Sequence, residues 1–194
     1  MTAPATKRRY TYNEYLVLER TANVKHEFHA GEIYGMAGGT REHAALAANV
    51  IGALARQIAG KPRQVHSSDL RIRVPATGLA TYADATVVCD RAEMDPEDRH
   101  TVINPTVVVE VTSPSTEDYD REEKLEHYRR IPSLRTVVIV SHRERCIEIF
   151  ARGDGDSWMR SEARAGDAAV LASIDASLAV DEVYRDALSG EWLA

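Results

Sequence analysis

Three residues far apart in the chain are placed where chemistry would need them. Asp84 directly precedes the apolar run Ala85 to Cys89, Glu110 ends the β-branched run that starts at Thr106, and Lys124 falls in the polar stretch beyond. Two carboxylates near one another repel and bind a divalent cation well, and magnesium favours one or two of them with several retained waters. Such a cation lowers the pKa of bound water and stabilises charge on a phosphate. A lysine beside it orients the water or offsets the phosphate charge. A carboxylate at a strand end facing a lysine on the next helix is what a metal-assisted phosphodiesterase needs, although alone it does not establish one. Without a partner or a cation, a lone charge at the end of a buried strand costs several kcal/mol.

The surrounding elements must bring these residues together. Thr106 to Val109 reads as a buried strand, and side-chain alternation puts Thr106, Val108, Glu110 and Thr112 on one face. Ser113-Pro114-Ser115-Thr116 supplies a turn with candidate caps, followed by a polar helix from about Glu117 to Arg130. Asp120, Lys124 and Tyr128 recur a turn apart on one stripe of that helix.

Upstream, Thr11 and Glu14 form a capping box for a helix to about Arg20. Lys25 to Phe28 and Glu32 to Met36 predict a hairpin around Ala30-Gly31. Thr40 caps a long helix through about Ala59, stopped by Gly60 and Pro62. Its apolar positions Ala44, Ala47, Ala48, Ile51, Leu54, Ala55 and Ile58 recur at helical spacing.

Gln64 to Val74 and Thr81 to Cys89 predict two strands joined at Pro75 to Gly78. Residues 90–104 read as a charged, solvated loop, without the spaced ligands and glycine of a calcium loop. Arg135 to Ser141 and Cys146 to Arg152 form an antiparallel pair, Trp158 to Glu162 a further strand, and Asp181 caps a last helix, Glu182 to Leu188. The order predicts an α/β (α+β) fold with a central mixed sheet flanked by helices. One domain is expected over 1–194, with a loose tail over 1–9.

At 194 residues the chain is long enough for a real core, and 44% hydrophobic with 28% charged residues is ordinary for a globular protein. No apolar run is long enough to span a bilayer, and MTAPATKRRY has no apolar segment behind its basic residues, so no membrane partner and a cytoplasmic location are expected. Cys89 and Cys146 fall inside apparent strands and read as reduced, buried thiols. A formal net charge of -6 argues against a broad non-specific nucleic-acid surface, yet is compatible with a small cleft with a basic rim.

The segments TYNEYLVLE, KHEFHAGEIYGMAGGTREHAALAANV, SSDLRIRV, YADATVVCD, VVVEVTSPSTEDYDREEKLEHYRRIPSL and the final DEVY resemble the Uma2 family of the PD-(D/E)xK nuclease superfamily. The resemblance covers nearly the whole chain, and the run EVTSPST…D…K…Y is its most specific part. It implies a restriction-endonuclease-like core and phosphodiester hydrolysis dependent on Mg²⁺ or Mn²⁺, with Asp84 and Glu110 as metal ligands. Two positions depart from the motif. Ala83 stands where proline is expected, which affects backbone shape only, and Thr112 stands where the motif's lysine would be. Lys124 is the obvious substitute, because the guanidinium of Arg121 does not release a proton.

Glu27, His43, Asp69 and Asp120 are candidates to support the metal pair, Asp120 by holding the Lys124 ammonium. Two functions stay open: a DNA endonuclease, and a nuclease-fold protein without turnover that binds nucleic acid or another partner. Hydrolysis of some other phosphoester is a third, weaker reading. No recognition helix-turn-helix is apparent, and cutting both strands would favour a homodimer.

Overall fold

The computed structural model describes residues 8–114 and 117–188. Most of the expected tail over 1–9 lies outside them, as do the candidate caps Ser115 and Thr116.

Helix α1 (Tyr12–Glu19) opens on the predicted capping box: the Glu14 N–H donates to the Thr11 hydroxyl at 3.2 Å and the Thr11 N–H donates to the Glu14 carboxylate at 2.8 Å. Strands β1 (His26–His29) and β2 (Glu32–Gly35) pair as a hairpin. Its two turn residues, Ala30 and Gly31, both take positive φ (49° and 83°), as a type I′ turn demands.

Helix α2 (Arg41–Ile58) starts at Thr40, whose hydroxyl accepts the His43 N–H. It buries Leu46, Val50, Ala53, Leu54 and Ile58, while Ala44, Ala48 and Ala55 are exposed. Alanine is spread around this whole helix, so the larger side chains decide which face turns inward.

The two long strands expected over 64–74 and 81–89 are each broken in two. They form β3 (Arg63–Ser67), β4 (Arg71–Val74), β5 (Leu79–Tyr82) and β6 (Ala85–Cys89). The charged segment 90–104 is not simply a loop but carries β7 (Met94–Asp95) and β8 (Asp98–Val102). Its buried Asp98 accepts from the Thr101 hydroxyl at 2.6 Å and lies 3.5 Å from Arg71, so its charge is balanced inside the fold.

Next come β9 (Val107–Val111), a short α3 (Glu117–Tyr119), a π-helical segment (Asp120–Lys124) and α4 (Leu125–Arg129). The chain continues with β10 (Thr136–Val140), β11 (Cys146–Arg152), β12 (Trp158–Arg164), β13 (Ala168–Leu171), a 3₁₀ turn (Ala172–Ile174), β14 (Ala176–Ala179) and α5 (Val180–Val183).

The central sheet has the order β12-β11-β10-β9-β6-β3 and is mixed, with β9 and β10 parallel and the other neighbours antiparallel. A second six-stranded sheet, β2-β1-β5-β4-β8-β7, joins it through the broken strands, and β13 and β14 form a separate pair. Strand β9 is buried on both faces, as its β-branched run requires. Val107, Val109 and Val111 pack with α2, α5 and the β13–β14 pair, while Val108 faces Leu125, Tyr128, Ile72 and Leu79. Glu110 therefore projects toward the helical segment 117–129. No helix among the described residues is long and apolar enough to cross a membrane.

Candidate active site

Three carboxylates from three elements converge on one lysine. Lys124 Nζ lies 3.0 Å from Glu110 Oε1 on β9, 3.1 Å from Glu27 Oε1 on β1 and 3.7 Å from Asp120 Oδ1 in its own segment. All four residues are buried, and the Lys124 side chain is only 4% exposed. The π-helical segment spans both Asp120 and Lys124, and the predicted stripe of Asp120, Lys124 and Tyr128 is the buried side of the helix. Single π turns of this kind are frequent at functional sites. The Tyr128 hydroxyl donates to Glu110 and the Thr81 hydroxyl donates to Glu27.

Asp84 sits at the crossing between β5 and β6, where the chain leaves the second sheet for the central one. The β6–β9 ladder stops at Ala85 opposite Val109. The Asp84 carboxylate takes over beyond it, accepting the Val111 N–H at 2.7 Å, one residue past Glu110. His43, from the first turn of α2, brings Nε2 to 3.3 Å from the same carboxylate.

Burial is the largest influence on Glu110; Lys124 opposes it, the charges of Asp120 and Asp84 reinforce it, and the carboxyl is pushed up to about 8. Burial also pushes Glu27 up, but Lys124 and hydrogen bonds from Thr81, Lys124 and Tyr119 outweigh it and hold this carboxyl below its ordinary value. Burial works against the Lys124 ammonium, yet Glu110, Tyr128 and Glu27 lift it well above the usual lysine value. The ammonium is thus balanced by the carboxylates around it, while burial and the charges of Asp120 and Asp84 work against ionisation of Glu110. The hydrogen bond with Asp84 raises His43, with burial opposing.

Of the supporting candidates, Glu27 and Asp120 join the cluster directly and His43 joins through Asp84. Asp69 does not. The break between β3 and β4 turns it out to solvent, where it pairs with Lys25 at 2.6 Å. Thr81 and Tyr119 were not marked by any sequence signal. Tyr128, on the same stripe as Lys124, holds Glu110. Thr112 lies past the last residue of β9, and its hydroxyl is engaged with His142, 2.8 Å from Nδ1 and 3.1 Å from the backbone N–H.

The architecture defines the class. A solved chain from Anabaena variabilis ATCC 29413, described as "a putative nuclease belonging to DUF820", superposes with a TM-score of 0.74 over 91% of this chain and 98% of that one. At 13% identity the likeness is one of fold alone. The chain belongs to the Uma2 family, described as "Putative restriction endonuclease", which it matches over residues 12–181. Two uncharacterized proteins of Synechocystis sp. are similar along most of their length. One is 35% identical over 175 residues (89% of this chain, 90% of that protein), the other 28% identical over 162 (84% and 92%).

Proposed function

We propose that the chain is a DNA endonuclease dependent on Mg²⁺ or Mn²⁺, with Asp84 and Glu110 as the metal-holding carboxylates. The observation that carries this reading is the buried ammonium of Lys124 at 3.0 Å from Glu110. It offers, from the helix, the cation that the family motif would place at position 112. The donor set suits the ion: carboxylate oxygens favour Mg²⁺ or Mn²⁺ over softer metals. The repulsion that Asp84 and Asp120 exert on Glu110 is the kind of strain a divalent cation relieves. When bound, such a cation activates water and neutralises phosphate charge.

The chain's own residues set the stage for that chemistry. Glu27 holds Lys124 in position and keeps it charged, so that the ammonium is available to a phosphate oxygen or to the attacking water. Tyr128 fixes the Glu110 carboxyl, and the Val111 N–H and His43 fix Asp84. The Asp84 and His43 side chains are 16% and 19% exposed, which makes this end of the site the approach for a phosphodiester. A double-strand cut would need two such sites, and hence a pair of chains.

A second reading, a nucleic-acid-binding or interaction module without turnover, is favoured by the near-complete enclosure of Lys124 among its carboxylates. Nicking of supercoiled plasmid separates the two. The endonuclease relaxes plasmid with Mg²⁺ or Mn²⁺ and not in EDTA, and Lys124→Met abolishes relaxation. Wild-type protein that retards DNA in a gel but nicks it with neither metal would establish the module instead.

A further inference from the structure

A second group of metal-binding side chains lies beside this cluster and is not used by it. His29 on β1, Glu123 in the π-helical segment and His127 on α4 each offer one ligand atom, and the three atoms lie within 4.8 Å of one another. His29 Nδ1 is 3.7 Å from Glu123 Oε1, and His127 Nε2 is 3.9 Å from the same oxygen. Donors bound tetrahedrally to zinc at about 2.0–2.1 Å are about 3.3 Å apart. The two His–Glu pairs are wider than this by a few tenths of an ångström and the pair of histidine donors by at most about 1.5 Å, within the reach of side-chain rotation around one ion.

We propose that His29, Glu123 and His127 form a second cation site, selective for Zn²⁺ or a similar transition ion. Two imidazoles and one carboxylate are a nitrogen-rich set that suits zinc, cobalt or nickel, whereas the all-oxygen set of Asp84 and Glu110 suits magnesium or manganese. The His127 side chain is 12% exposed and that of Glu123 58% exposed, so the group is walled on one side and open to water on the other. Three protein ligands and an open position are the pattern of a zinc site that retains a water.

Its place in the fold gives the site a role. His29 is two residues from Glu27 on the same strand, so both point to the same side of β1. Glu123 and His127 flank Lys124 in sequence, and Glu27 contacts Lys124 at 3.1 Å. An ion held here would tie β1 to the helical segment and brace the Glu27–Lys124 contact. The inference does not depend on whether the chain hydrolyses DNA. In the absence of an ion, the His29 and His127 rings meet edge to face with centroids 4.4 Å apart, an ordinary packing contact that is the alternative role for these residues.

Equilibrium dialysis of the full chain against Zn²⁺, and visible spectroscopy with Co²⁺, test the assignment. Wild-type protein is expected to bind one Zn²⁺ per chain, and to keep that ion in an Asp84→Asn/Glu110→Gln double variant. His29→Asn or His127→Gln should weaken binding by roughly tenfold or more. Paramagnetic Co²⁺ should broaden the ring-proton NMR signals of both histidines in the wild-type protein, a readout that needs no variant to fold. Zinc binding that survives both histidine substitutions, or that vanishes only in the Asp84/Glu110 variant, would overturn the site. So would histidine signals at positions 29 and 127 left sharp by Co²⁺.

Discussion

Glu110→Gln should stabilise the metal-free protein at alkaline pH. The wild-type carboxyl ordinarily titrates at 4.5 and is pushed up to about 8 by burial. A folded pKa above the unfolded one means the fold prefers the protonated acid. Its stability contribution is complete below the unfolded value and is lost as pH rises toward the folded one. At 1.36 kcal/mol per pH unit, this one group removes about 3–4 kcal/mol of stability between pH 5 and pH 8.

Glutamine resembles the protonated acid, cannot ionise, and still accepts from the Tyr128 hydroxyl. The stability difference between variant and wild type should therefore move in the variant's favour by about 3–4 kcal/mol over that range. Urea melts of both proteins in EDTA at pH 5 and pH 8 measure it, and taking the difference cancels the titrating groups that are not coupled to Glu110. A difference that stays flat within about 0.5 kcal/mol would refute the account of Glu110 as a buried, strained acid. The same melts with Mn²⁺ should reverse the order, because the ion stabilises only the protein that keeps the carboxylate.

Lys124→Met strips Glu27 of its buried partner and should destabilise the protein by about 3 kcal/mol at pH 7 in denaturant melts, while titration calorimetry shows Mn²⁺ still bound. Asp84→Asn should weaken Mn²⁺ binding by calorimetry. It should also bring the NMR-measured pKa of His43 down toward 6.5, since Asp84 is what raises it. Tyr128→Phe removes the hydroxyl donated to Glu110 and should cost about 1–2 kcal/mol in urea melts. The loss should be larger at pH 8 than at pH 5, because that hydrogen bond favours the ionised carboxyl.

Much of the site could be read from spacing. Asp120, Lys124 and Tyr128 fall on one stripe in any helix, whether its turns are α or π, and that stripe is buried here. Glu110 at the end of an apolar strand was legible for the same reason: a charge in such a run stands out. Asp69 was misplaced because the turn between β3 and β4 is encoded only by Ser68-Asp69-Leu70, too weak a signal to break a strand. The same broken hairpin concealed the second sheet. Strands β7 and β8 were hidden because Asp95 and Asp98 read as solvent-facing charges, whereas both are buried. Burial of a charge depends on a partner from elsewhere in the chain, such as Arg71 for Asp98, and sequence spacing does not reveal such partners.

The π-helical segment holds one residue more than an α-helix needs between the same flanking turns. Deleting one residue between Asp120 and Lys124 would let the backbone relax to an ordinary α-helix. Four π steps of about 82° would become three α steps of about 100°, so the part before the deletion would turn by only about 30° relative to the part after it. Asp120 would stay on the side of Lys124, and Glu117 and Arg121 would keep the register that pairs them with Arg143 at 2.8 Å and with Glu148. Helix α2 has no such spare residue, and a deletion there would turn its two parts by about 100°. A scan of single-residue deletions should therefore find Glu122, an exposed position, tolerated better than positions inside α2.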